Sequence, residues 1–298
     1  MGLAVSGERL GSTMSGTIDL AWIQSQFPNL TTFTTLPAGG QKIVVGAEHG
    51  VHGPVVLKLF KEFGDLKRIQ REIAAAQQLQ GCRVPRVFES GVQAHSLGDV
   101  PWLIEARLDG VTLRDVIRRG PLSAMEVIRL GLQLLETLAV AEQLRIVHRD
   151  VKPDNIMVDS ANDYWLIDFG FSRHLDLSAL TAIGMPFGPC TPGYAPPEQF
   201  RNRQLEIDGR ADLFAVAVTL YESFAQVNPF SVGASSIGEV LRRVENSDLP
   251  DLVVPAKAAS DLRDLVRCMS RRRRDQRPRT VQEALDWMRD IATQEGVV

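Results

Sequence analysis

The sequence predicts an α+β chain of two unequal lobes, a small β-rich lobe followed by a larger, mainly helical one. Three observations carry this. Short apolar runs of strand character cluster before residue 108 and enclose one helical segment. Helical periodicity dominates after it. Between the two, "PWLIEARL" (101–108) reads as a strand running into a linker. A chain of 298 residues has room for this arrangement.

Residues 1–30 carry several Gly, Ser and Thr before a short apolar patch, "IDLAWIQSQF", and read as a partly ordered extension. The small lobe spans 31–104. In it, "KIVVGA" (42–47) and "PVVLKLF" (54–60) are strands joined by a Gly/His turn. The stretch 66–79 is a helix, with Leu66, Ile69, Ile73, Ala76 and Leu79 at helical spacing. The hinge is placed at 105–108, the large lobe at 109–293 and a tail at 294–298. Ser123 with Glu126 makes a capping box opening a helix to about Gln143. "NIMVD" and "YWLID" around "SAND" predict a β-hairpin over 155–168. "ADLFAVAVTLYESFA" (211–225) is apolar nearly all round, as a helix in the middle of a domain is. Ser260 opens another helix, and Thr280 with Glu283 forms a second capping box.

Composition narrows the function. Net charge is −3, which gives no argument for nucleic acid or a membrane surface. Three dispersed cysteines (Cys82, Cys190, Cys268) without C-x-x-C spacing argue against a disulfide framework or zinc, and fit a cytoplasmic protein. No apolar run approaches the 18 residues of a membrane span, and no secretory signal is visible. "MGLAVS" matches the myristoylation pattern, which is short enough to arise often by chance.

The chemistry centres on "VHRDVKPDNIMV", followed by "WLIDFG". Here His148, Arg149 and Asp150 precede Asn155, and Asp168, Phe169 and Gly170 come after the hairpin. At these residues the chain resembles the protein kinase family, whose signatures include the H-R-D…N loop and D-F-G. "VVLK" resembles the family's V-A-I-K strand, "QREIA" its first helix and "PPE" its A-P-E motif. A lone lysine on a strand is usually a surface residue, and a lone aspartate near a hairpin usually a turn former. Several motifs in family order across roughly residues 36–290 make the resemblance specific.

The resemblance implies a two-lobed kinase fold that uses ATP and Mg²⁺, with Mn²⁺ as the alternative cation. Phosphoryl transfer asks mainly for positioning and charge neutralisation. Lys58 would reach the α and β phosphates, held by an ion pair with Glu72. Asn155 and Asp168 offer the oxygen ligands that Mg²⁺ requires. Asp150 would orient the acceptor hydroxyl and take its proton, and Lys152 would place a cation on the transferring phosphate. Val44 and Val56 would line the adenine pocket, with Glu105 at the hinge. In "TLPAGGQKIVVGAEHG" the family's G-x-G-x-x-G pattern is altered: Pro37 and Lys42 replace its outer glycines. Gly39 and Gly40 still allow the backbone close to a phosphate. Lys42 is assigned to solvent, and the loop to weakened ATP binding rather than inactivity.

Lys152 and Thr191, in "CTPGYAPPE", resemble the serine/threonine branch, and "TPGYAPPEQ" resembles bacterial members. The implied partner is a protein substrate with a Ser or Thr acceptor. Arg149 implies a phosphate on the activation segment (168–198), assigned to Thr181 with Ser178 second; Thr191 is assigned to packing near Asp150. Glu198 is expected to pair with Arg277, and Asp212 to accept N–H bonds from the catalytic loop. The arginine run 271–274 reads as a solvated loop. Two alternatives stay open: a pseudokinase acting as a nucleotide-binding or scaffolding module, and a small-molecule phosphotransferase. The substrate, the activating signal and the oligomeric state do not follow from the sequence.

Overall fold

Val55, Leu57 and Leu59 are buried on one face of a strand whose opposite face carries Val56, Lys58 and Phe60, and that alternation organises the small lobe. The computed structural model describes residues 18–36, 42–61, 66–96, 98–168, 173–174 and 190–297. The small lobe contains α1 (Leu20–Gln26), β1 (Leu30–Thr35), β2 (Lys42–His49), β3 (Gly53–Phe60), α2 (Leu66–Gln78), β4 (Val87–His95) and β5 (Gly98–Ala106). Its strands form one antiparallel sheet in the order β1-β2-β3-β5-β4.

The two faces of this sheet are covered differently. Val45, Ala47, Val55, Leu57, Leu59, Val100 and Ile104 pack against Ile23, Phe27 and Leu30. The segment expected as a partly ordered extension therefore includes a cap over the outer face from residue 18 onward. Asp19 starts α1 by accepting the Trp22 N–H at 2.8 Å, and the Phe27 ring meets Trp102 edge-on with centroids 5.1 Å apart. Seven residues are too few to display a helical period. On the inner face, Ile73 of α2 packs with Phe60 and Leu103.

The large lobe begins with β6 (Gly110–Thr112), α3 (Leu113–Arg119), α4 (Ala124–Gln143) and β7 (Ile146–Val147). The predicted hairpin is β8 (Ile156–Asp159) and β9 (Tyr164–Leu166), joined by β6 into a three-stranded sheet. β10 (Arg173–His174) pairs with β7. Then come α5 (Pro197–Phe200), α6 (Gly209–Ala225), α7 (Ile237–Asn246), α8 (Ala259–Met269) and α9 (Val281–Glu295). Helix α6 lies between α4, α8 and α9 and is buried along nearly its whole length, the reason its sequence is apolar on every side. The Ser123–Glu126 capping box is complete. Thr280 caps the Glu283 N–H, but the Glu283 carboxylate turns to the Arg279 N–H at 2.7 Å, so that box is half formed. Helix α8 starts one residue before Ser260, and the Ala258 N–H beneath it donates to Glu295 at 2.5 Å.

His49, His52 and Glu89 converge at the β2–β3 turn. Nδ1 of His49 accepts the N–H groups of Val51 (3.0 Å) and His52 (3.2 Å), which places the ring proton on Nε2, 3.1 Å from Glu89. The rings of His49, His52 and Phe88 stack in series. A protonated Nε2 and stacked rings suit a turn brace rather than a cation. Among the described residues no helix is long and apolar enough to cross a membrane.

The α1 cap yields a stability prediction. Phe27→Ala removes a buried ring and should lower unfolding free energy by about 3–4 kcal/mol in urea denaturation; a loss below about 0.5 kcal/mol would show the cap to be ornamental.

Candidate active site

Between β7 and β8 the chain makes a loop whose shape is set from below. Asp212, buried in the first turn of α6, accepts the N–H of His148 on Oδ2 and that of Arg149 on Oδ1, both at 2.8 Å. Burial pushes the Asp212 carboxyl up to about 7, while the two N–H donors oppose protonation because each needs a bare oxygen. Arg149 is held at φ +70°, a left-handed conformation costing a non-glycine residue about 1–2 kcal/mol. Its carbonyl accepts from Gln199 Nε2 at 2.6 Å. His148 is fully buried. Its Nδ1 accepts the Asp150 N–H at 3.2 Å, leaving the proton on Nε2 to face the Ile167 carbonyl at 3.3 Å. Burial drives its pKa down to about 4, so the ring is neutral at pH 7.

Asp150 is thereby presented to a ring of donors. Oδ1 accepts from the Thr191 hydroxyl at 2.6 Å, and Oδ2 from Lys152 Nζ and Asn155 Nδ2, each at 2.8 Å. Lys152 also donates to Thr191 Oγ1 at 2.6 Å, closing a triangle across 41 residues of chain. Asn155 Nδ2 makes a second bond to the Asp150 carbonyl at 2.9 Å, so its Oδ1 is the remaining side-chain acceptor. The pairing of Ile156 with Leu166, and the Ile167 N–H bonded to the Asn155 carbonyl at 2.9 Å, set Asn155 beside Asp168. This oxygen-rich pair has the donor chemistry that a hard divalent cation takes.

The inner face of the small-lobe sheet forms the roof. Val44 lies opposite Lys58, Lys42 opposite Phe60, and Val56 opposite Glu105, so all six share one face. Lys58 Nζ is 2.7 Å from Glu105, with both side chains about 9% exposed. Glu105 was expected in the hinge; β5 instead continues through Ala106, which makes Glu105 a diagonal cross-strand neighbour of Lys58. Lys42, assigned above to solvent, is buried: strand alternation turns it inward, and its ammonium meets the Asp168 carboxylate. Burial by itself would raise the Asp168 pKa, but the charges of Lys42 and then Lys58 outweigh it and hold the carboxyl well below the usual range. Asp168 sits at φ +65°.

Below the site, Arg277 is fully buried and grips Glu198 through both guanidinium ends, at 2.6 and 3.1 Å. A second, half-buried network was not anticipated. Arg114 of α3 donates to Glu222 of α6 and to the Tyr194 hydroxyl, both at 2.6 Å, and to Asp154 at 3.1 Å. It ties the loop of Asp150 to the segment carrying Thr191. Gly193 in that segment has φ +90°, and a Cβ there would lie 2.1 Å from Ser231 Oγ. In the arginine run, Arg272, Arg273 and Arg274 each pair with an aspartate, in keeping with a solvated loop. Gly39, Gly40, Ser178 and Thr181 lie outside the described residues, as does the side chain of Glu72.

A sequence model of the protein kinase domain matches residues 47–288. The chain belongs to the protein kinase family. Among curated proteins, the chain is 34% identical over 83% of its length to the probable serine/threonine-protein kinase PkwA of Thermomonospora curvata, covering 32% of that protein. It is 32% identical over 72% of its length to the serine/threonine-protein kinase PknL of Mycobacterium tuberculosis, covering 53% of it. Against the serine/threonine-protein kinase PknB of Mycobacterium leprae the figures are 31%, 61% and 29%. The chain thus spans between about a third and a half of these relatives.

Two predictions follow from the loop. Asp212→Asn puts an amide N–H₂ against a backbone N–H and should cost about 1–3 kcal/mol in chemical denaturation. His148 binds a proton at about pH 6.5 when unfolded but only near pH 4 when folded. Between those values the unfolded chain holds more protons, so stability falls as pH drops. His148→Gln should remove about 1.4 kcal/mol per pH unit of that slope when unfolding is measured across pH 4–6.5.

Proposed function

We propose that this chain is a serine/threonine protein kinase, transferring the γ-phosphoryl group of ATP to a Ser or Thr hydroxyl of a protein. The observation that supports it most is the bond triangle of Asp150, Lys152 and Thr191. It holds a carboxylate and an ammonium side by side, next to the oxygen pair of Asn155 and Asp168. Asp150 accepts the acceptor's proton as the hydroxyl oxygen bonds to the γ-phosphorus and the bond to the ADP oxygen breaks. Lys152 stands where negative charge gathers on the moving group. Lys58 serves the phosphates of the nucleotide, Val44 and Val56 its base. Mg²⁺ bound by Asn155 and Asp168 would neutralise phosphate charge. We place the protein in the cytoplasm.

The named relatives are serine/threonine kinases, and Lys58, Asp150, Asn155 and Asp168 are all retained, which leaves the pseudokinase reading without support. The Thr191 segment, locked by Tyr194, Arg114 and Glu222, favours a peptide platform over a small-molecule pocket. Arg149 fits a phosphate on Thr181, with Ser178 second, as the ordering charge of the activation segment.

The test is transfer of labelled phosphate from Mg·ATP to generic Ser/Thr proteins and to aminoglycosides side by side, with sites mapped by mass spectrometry. Labelling of proteins alone, with Thr181 or Ser178 modified in the kinase itself, is expected. Asp150→Asn should slow transfer about 10²–10⁴-fold. Labelling of the small molecules alone would overturn the reading.

A further inference from the structure

The inner sheet face carries two lysines, and the structure uses them differently. Lys58 is held within its own sheet by Glu105 at 2.7 Å, both side chains almost wholly buried. Removing one member of such a pair strands a buried charge, so the contact is a firm tether. Lys42 enters from the first residue of β2, opposite Phe60, with its ammonium 5.0 Å from the centre of the Phe60 ring. Its stem is buried and its charge reaches across the cleft to Asp168. Of the two sheet lysines, Lys42 is the one whose ammonium meets Asp168.

We propose that Lys42 is a second phosphate-binding cation of the nucleotide site, working beside Lys58; this rests on the kinase reading above. The argument is one of charge. A divalent cation held by Asp168 would compete with the Lys42 ammonium now against that carboxylate. The place of Lys42 on the inner sheet face keeps Nζ at the Asp168 end of the cleft, where nucleotide phosphates enter with the cation. The flexible four-carbon stem lets Nζ move between the two without rearranging the backbone. Glycine at this position would leave the roof one charge poorer, so the altered loop exchanges backbone freedom for a cation.

Equilibrium binding of adenosine, ADP and ADP with Mg²⁺ to the full chain tests this, by calorimetry on wild type, Lys42→Met and Lys42→Arg. Lys42→Met should weaken binding of ADP with Mg²⁺ about 10- to 100-fold, the value of a charge-assisted hydrogen bond, and leave adenosine within about twofold. Lys42→Arg should recover most of the loss. Unchanged or tighter binding of ADP with Mg²⁺ by Lys42→Met would overturn the inference, since Lys42 would then merely mask Asp168. Equal losses for adenosine and ADP with Mg²⁺ would overturn it too, by showing general damage to the lobe. Wild type binding neither ligand would remove the nucleotide reading and this inference together, whereas normal binding of ADP with Mg²⁺ by wild type and Lys42→Met alike would remove this inference alone.

Discussion

The arrangement of the site depends on one buried carboxylate. Asp212 takes both backbone N–H groups of His148 and Arg149, and these bonds fasten the loop of Asp150 to the helix most deeply packed in the large lobe. A strained Arg149 backbone is tolerable because three hydrogen bonds over-determine it: the His148 and Arg149 N–H groups donate to Asp212, and Gln199 Nε2 donates to the Arg149 carbonyl. With that loop fixed, Asp150 faces Lys152, Asn155 and Thr191 at hydrogen-bonding distance. The segment carrying Thr191 is then tied back to the same helix through Tyr194, Arg114 and Glu222. Helix α6 thus supports both the loop of Asp150 and the Thr191 segment beside it.

The roof is organised by electrostatics under the constraint of strand pairing. Antiparallel register puts Lys42, Lys58 and Glu105 on one face, and no rotamer choice could send them to the other. Four charges form two pairs here, Lys58 with Glu105 within the sheet and Lys42 with Asp168 across the cleft. The outer face is closed instead by apolar side chains of the N-terminal segment, so the sheet has one charged face and one dry face.

The loop 148–155, the hairpin behind it and the buried helix were legible in the sequence because each is local: motif residues at short spacing, or an unbroken apolar run. The family resemblance added Glu198 and Arg277, which are 79 residues apart and meet through tertiary packing alone. What escaped was set by register and docking. Glu105 was assigned to the hinge because strand ends are invisible where polar and apolar residues mix. Lys42 was sent to solvent because a lysine beside glycines has that default, and only its pairing with Phe60 shows which face it takes. Helix α1 and the contacts of Arg114 left no periodic or motif signal.

The central claim is that Asn155, Asp168 and the charged sheet face form one metal-nucleotide site above Asp150. A crystal structure with Mg²⁺ and a non-hydrolysable ATP analogue tests it most directly. The account predicts the cation on Asn155 Oδ1 and the Asp168 carboxylate, the base between Val44 and Val56, and the γ-phosphate facing Asp150 and Lys152. A nucleotide bound elsewhere, or a cleft that keeps Lys42 on Asp168 and admits no cation at saturating ligand, would contradict it.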